Sequence, residues 1–172
     1  MTVTFPEAVS SRGKKSVVFL TTAPADGAAI TTTELGGGLN VSLYLQGAFA
    51  PNGTQNKGNE PRRTGEDSQL QKLGDKNFET PTLTYVHDPQ GAPSDEANAL
   101  KALLPEGTEF WAAEFAGIDG NVEPASGDQY RLHHLRAGYQ WEQPSGDDEF
   151  AVEQVIQETE YLTPPTRGTV AA

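Results

Sequence analysis

The chain has 172 residues, 35% of them hydrophobic, no Cys, and a formal net charge of −12. That length holds one domain with a core that needs no staples, and the absence of Cys excludes a disulfide framework and thiolate metal ligation. Residues 1–79 carry eight acids against eight Lys and Arg, whereas residues 80–172 carry sixteen against four, a balance that speaks against a tightly held DNA duplex, which needs clustered cations.

The first element in chain order is "SVVFLT", Ser16 to Thr21, a β-branched and aromatic run that predicts a strand. With Arg12, Lys14 and Lys15 before it and small residues after it, it imitates a secretory signal. The apolar part is only Val17 to Leu20, against the roughly 7 to 15 residues such a signal needs, so that reading is rejected. No apolar run is long enough to span a membrane as a helix. Next, Leu39, Val41, Leu43 and Leu45 alternate with Asn40, Ser42, Tyr44 and Gln46, which predicts a half-buried strand. Gly36, Gly37 and Gly38 before it read as a turn or bulge, since no P-loop lysine accompanies them.

From about 47 to 75 the sequence predicts a long loop. Its heart, "PNGTQNKGNEPRRTGED" (51–67), has no aliphatic or aromatic residue. Asn52, Gln55, Asn56, Lys57, Asn59, Glu60, Arg62, Arg63, Glu66 and Asp67 offer polar groups of balanced charge. Such a segment is either an idle excursion or one that orders on meeting another surface, and composition does not separate the two.

Order resumes at "TLTYVHDP", a strand closed by the turn Asp88-Pro89-Gln90-Gly91. One helix is predicted at about 94–104: Ser94 stands at its N-cap, Asp95 and Glu96 in its first turn, and Ala97, Leu100, Leu103 and Leu104 form its apolar stripe. Three further strands follow, "TEFWAAEFA", "YRLHHLRAGYQW" and "EFAVEQVIQETEYL", the last ending before Pro164-Pro165. The pattern is mainly β, a sandwich or barrel with one short flanking helix.

Residues for chemistry are scarce. His133 and His134 are adjacent in a predicted strand and so point to opposite faces, which keeps them from sharing an ion with His87. No G-x-S-x-G turn or paired base activates any Ser or Thr. Asp147, Asp148 and Glu149 sit in a hairpin connection without the spacing of a calcium loop. No catalytic, cofactor or metal residue is therefore expected.

The stretches "TTTELGGGLNVSLYLQGAFAPNGTQNKGNEPRR" and "TLTYVHDPQGAPSDEANALKALLPEGTEFWAAEFAG" resemble the tail tube (major tail) proteins of long-tailed bacteriophages, particularly those infecting actinobacteria. The resemblance rests on the order and spacing of Glu34-Leu35, the Asn-rich loop ending in Arg62-Arg63, "LTYVHDPQ" and the helix ending "LLPEGT", and covers about residues 16–162. It implies a tail-tube β-sandwich over residues 1–172, with 1–15 as an N-terminal arm, while 163–172, where "PPTRGTVAA" gives no firm match, is either an extension or a flexible tail. It also implies subunits joined into sixfold rings that stack into a tube, the conduit through which DNA is ejected. The protein would then sit in the virion tail after assembly in the host cytoplasm. Its partners would be further copies of itself, the tape measure protein, and tail terminator or baseplate proteins, with DNA in transit and not bound. The 47–75 segment would be the arm reaching a neighbouring subunit or ring, and Glu109, Glu114, Glu153 and Glu158 would be candidates to face the channel. The alternative is a capsid decoration or surface-binding β-sandwich module.

Overall fold

The computed structural model describes residues 13–61, 64, 71–147 and 149–172. Strand β1 (Lys15–Leu20) pairs with β2 (Leu39–Asn40) on one side and with β6 (Glu109–Ala116) on the other. The sheet continues through β7 (Gln129–Pro144), β8 (Glu153–Thr169) and β5 (Leu83–Val86), giving the antiparallel order β2-β1-β6-β7-β8-β5. Beyond β2, the Val41 amide donates to Val17 O (2.9 Å) and the Gln46 amide to Thr84 O (2.7 Å). Residues 41–46 thus tie one sheet edge to the other, and the sheet curls into a half-barrel with an inside and an outside. A separate two-stranded ribbon pairs β3 (Asn52–Asn59) with β4 (Gln71–Glu79).

Alternation along each strand fills both faces. Val17, Phe19, Phe110, Ala112, Leu135, Ala137 and Val155 point inward and meet Val41, Phe49, Leu83 and Tyr85. The Phe19 and Phe110 rings lie 4.9 Å apart, and each fully buried large side chain contributes about 1.5–3 kcal/mol. Outside, Val18, Leu20, Ala113, Phe115, Tyr130 and Leu132 are covered by Ile30, by Leu35 of helix α1 (Thr32–Gly36) and by Val170. Helix α2 (Ala99–Leu103), entered through a 3-10 turn at Glu96–Asn98, supplies Leu100 to the inner core, where Leu104 joins it. Buried Gln157 fixes this end: its amide donates to Leu104 O (2.9 Å) and Gly138 O (2.8 Å) and accepts from the Tyr85 hydroxyl (3.0 Å).

The mainly β class and the short helix near 94–104 agree with the sequence; several boundaries do not. The strand expected over 39–46 ends at Asn40, because the Asn40 side chain accepts from the Ser42 amide (3.1 Å) and offers the backbone a turn in place of the ladder. Leu43 is consequently 74% exposed. Strand β8 does not stop at Pro164: Leu132 faces Thr166 and His134 faces Thr163, so Pro164 and Pro165 oppose the single residue His133 in a bulge, where missing amides break no ladder bond. Of the two expectations for 163–172, an extension or a flexible tail, the strand continuing to Thr169 fits the extension, and Val170 is 2% exposed. Ser94 is not the N-cap; Asp95 holds that position and its carboxylate accepts from the Ala92 amide (2.8 Å). Helix α1 is an element that hydrophobic periodicity misses. Its signal is the capping box in Thr31-x-x-Glu34: Thr31 Oγ1 accepts from the Glu34 amide (3.2 Å) and Glu34 Oε2 from the Thr31 amide (2.8 Å). Gly38 is required by proximity, since a Cβ there would lie 2.7 Å from Phe19 O.

Candidate assembly surfaces

Among the described residues of the 47–75 segment, most are strand and not loop. Asn52 to Asn59 and Gln71 to Glu79 form the β3–β4 ribbon, with every described side chain in both strands exposed. At about 3.3 Å per residue, eight residues carry it roughly 26 Å. Local bonds hold its shape: Asn52 Nδ2 donates to Glu79 Oε2 (3.0 Å), Gln55 Nε2 to Gly74 O (2.9 Å), and Asn77 Nδ2 to Asn56 Oδ1 (3.4 Å). Glu60, just past β3, is ion-paired with Lys72 at 2.9 Å. Lys57 follows the bulge opposite Leu73, and Asn59 faces Gln71. Arg62, Arg63, Glu66 and Asp67 lie outside the described residues. The ribbon's base is anchored where Phe78 meets Tyr161 edge to face, centroids 6.1 Å apart.

A ribbon of two strands with no buried face is marginal in water, and both outer edges present unpaired N–H and C=O groups suited to another strand. Leu73 at 66% and Phe78 at 38% exposure add apolar surface. These features fit a ribbon whose stability is completed by a partner.

The second surface is the part of the sheet's outside that α1 and Val170 leave uncovered. Opposite charges sit in register across three strands there: Glu109, Arg136 and Glu160 are successive cross-strand partners. Arg136 donates to Glu160 (2.7 Å) and to Glu109 (3.0 Å). The Arg136 hydrogen bond holds the Glu109 carboxyl below its usual range. Glu158 is exposed near Thr82, whose hydroxyl donates to it (2.9 Å), whereas Glu153, exposed at the start of β8, falls by alternation on the inner side with Val155 and so leaves the set expected to face the channel. Trp141 and Tyr139 also stand open, at 58% and 64% exposure. Arg136 and Glu160 were not singled out by sequence, because only the strand register brings them beside Glu109.

Glu114, one of the four candidate channel acids, is not on the surface. Strand alternation turns it to the inside, 9% exposed, where it meets Lys15 (2.6 Å), His133 Nε2 (3.1 Å) and, at 3.9 Å, Arg131. Burial alone would raise its pKa, but hydrogen bonds and charge from His133 and Lys15 outweigh that and hold it at about 2. The other ring nitrogen of His133 pairs with the Tyr161 hydroxyl (2.8 Å), whose pKa burial and the Glu114 charge push up to about 12. This network ties β1, β6, β7 and β8 together, so Glu114 is a structural ion-pair partner and not a surface carboxylate. His134, one residue on, faces outward and stacks on Trp111 at 4.5 Å, so the two histidines do lie on opposite faces. Near α2, Lys101 is ion-paired with Glu142, whose pKa this contact lowers, and His87 bonds the Asn98 side chain (2.8 Å). Among the described residues, no helix is long and apolar enough to cross a membrane.

A family model described as "Phage tail tube protein" matches residues 2–165. No curated protein matches the chain.

Proposed function

Because the chain belongs to the phage tail tube protein family, a structural and not an enzymatic family whose members build the virion tail, we propose that it assembles into stacked rings, six subunits to a ring, whose channel conducts DNA into the host. The observation that carries this reading is the fully exposed β3–β4 ribbon, which serves as the arm that reaches a neighbouring subunit or ring. Asn52, Gln55, Asn56, Lys57, Asn59, Glu60, Arg62, Arg63, Glu66 and Asp67 supply its polar contacts. Ordering an arm against a partner costs conformational entropy that only a full contact set offsets, which disfavours premature stacking.

The uncovered outer face of the sheet lines the channel in this reading, with Glu109 and Glu158 repeated once per subunit. DNA carries one charge per roughly 1.7 Å of axis, so clustered cations would retain it whereas carboxylates keep it centred and unbound. The tape measure protein fills the channel during assembly in the host cytoplasm, and terminator and baseplate proteins close the two ends. Electron microscopy of concentrated protein tests the proposal: six-membered rings or tubes are expected, and monomers or isolated trimers at all concentrations would refute it in favour of a decoration module.

A further inference from the structure

Arg131 and Arg167 are direct partners across the β7–β8 ladder. Like charges placed side by side destabilise a sheet, and these are two of the four Lys or Arg residues in residues 80–172. Both line a cavity of about 380 Å³ that also receives Lys76 from the ribbon and has Phe78, Tyr161 and Pro165 in its walls. Arg131 reaches Glu114 only at 3.9 Å, and that carboxylate is already engaged by Lys15 and His133. Among the described residues, Lys76 and Arg167 make no ion pair. Three cations gathered around one partly aromatic cavity, in a chain of charge −12, are suited to an incoming carboxylate that carries an apolar anchor.

The other end of the same two strands has that chemistry. The turn from Pro144 to Glu153 carries Asp147 and Glu149, with Phe150 81% and Val152 47% exposed. It is a braced turn: the Ser145 amide donates to Val152 O and the Val152 amide to Ser145 Oγ, both at 2.9 Å. From Arg131 to Pro144 the strand runs about 40 Å, so turn and cavity lie at opposite ends of the longest hairpin in the molecule. A tip on one end that fits a socket on the other makes a heterologous contact, which repeats head to tail as an open stack.

We infer that the Arg131–Arg167 cavity is the socket for the turn bearing Asp147, Glu149 and Phe150 of the next copy of this chain. The carboxylates separate and neutralise the facing arginines and Lys76, and the Phe150 ring packs against Phe78, Tyr161 and Pro165. The inference deepens the tube reading and rests on it, by naming the axial contact between successive rings.

Charge reversal and cross-linking test it. Arg167→Glu, and separately the pair Asp147→Lys with Glu149→Lys, should each raise the concentration needed for assembly by about tenfold or more, the scale of one lost charge-assisted contact per subunit. Combining the two reversals should restore assembly to within about threefold of the natural protein. Because the chain has no Cys, the double variant Asn52→Cys, at the cavity rim, with Gly146→Cys, where an added Cβ meets nothing, reports the contact directly. Mild oxidation of concentrated protein should give a ladder of cross-linked chains. Monomers only, or dimers only, overturn the inference, as do reversals that leave assembly unchanged. An Arg167→Glu protein that assembles normally but loses retention on immobilised duplex DNA also overturns it, assigning the socket to phosphate. The oxidation readout needs no tubes, so failure of the natural protein to form tubes counts against the tube reading alone, while an absent ladder counts against the socket.

Discussion

Replacing Glu114 by Gln keeps the side chain's shape and one acceptor oxygen but removes the charge that Lys15 and His133 hold at 2.6 and 3.1 Å. The carboxyl titrates at about 2 in the fold against an ordinary value of 4.5. At about 1.36 kcal/mol per pKa unit, that difference is worth roughly 3 kcal/mol. The pKa is depressed in the fold, so this stabilisation is fully present above pH about 4.5 and is lost as pH falls through about 2. Removing one partner of a buried pair typically costs about 3–5 kcal/mol because the other charge is stranded. Here Lys15 is 35% exposed and also donates to Phe49 O at 2.6 Å, which moves the expected loss to the low end, about 2–3 kcal/mol. Urea unfolding of Glu114→Gln and the natural protein, followed by circular dichroism from pH 7 to 2, separates this group from the other carboxylates, which titrate alike in both. The two stabilities should differ at pH 7 and converge near pH 2. Parallel curves, or a difference below about 0.5 kcal/mol at pH 7, would refute the assignment of Glu114 to a structural ion pair.

Excising residues 54–77 and joining Gly53 to Phe78, which are cross-strand partners, through an Asn-Gly turn should leave a folded monomer with unchanged far-UV circular dichroism and abolish tubes; normal tubes by microscopy would refute the arm. Changing Glu109 and Glu158 together to Lys, with Glu114 left intact, should slow DNA ejection from assembled tails, and unchanged ejection kinetics with the lysines located in the channel would refute the lining role. Gly38→Ala should cost about 1–3 kcal/mol by overpacking, because the new Cβ meets Leu20 and the Phe19 carbonyl, while Gly36→Ala, with nothing within 4 Å, should stay within about 0.5 kcal/mol by thermal unfolding.

What the sequence could reveal depended on whether a residue's partner was local. The strands around Phe19, Phe110 and Leu135 were legible because period-two alternation is an intrastrand property. The β3–β4 ribbon was not, since its ladder is made of backbone groups and its side chains, from Asn52 to Asn59, are polar on both faces, which removes the hydrophobic contrast that marks a strand. The Pro164-Pro165 pair misled for a related reason: a proline ends a regular ladder but not a bulged one, and the bulge exists only through the register with His133.

The acids show the same limit at the level of function. Glu109 and Glu114 share one strand five residues apart, so alternation places them on opposite faces, yet alternation does not say which face is covered. That depends on distant elements: Phe49 packs against His133 on the inner side, ring centroids 5.4 Å apart, whereas α1 and Val170 cover only part of the outer one. Two glutamates of equal appearance in the sequence therefore have opposite surroundings. Glu114 holds four strands together, and Glu109, paired with Arg136 but 47% exposed, lies on the face that the proposal assigns to the channel. A charge change at the first should be read in unfolding curves and at the second in transport, and a variant that moves both readouts together would show that the two faces are not independent.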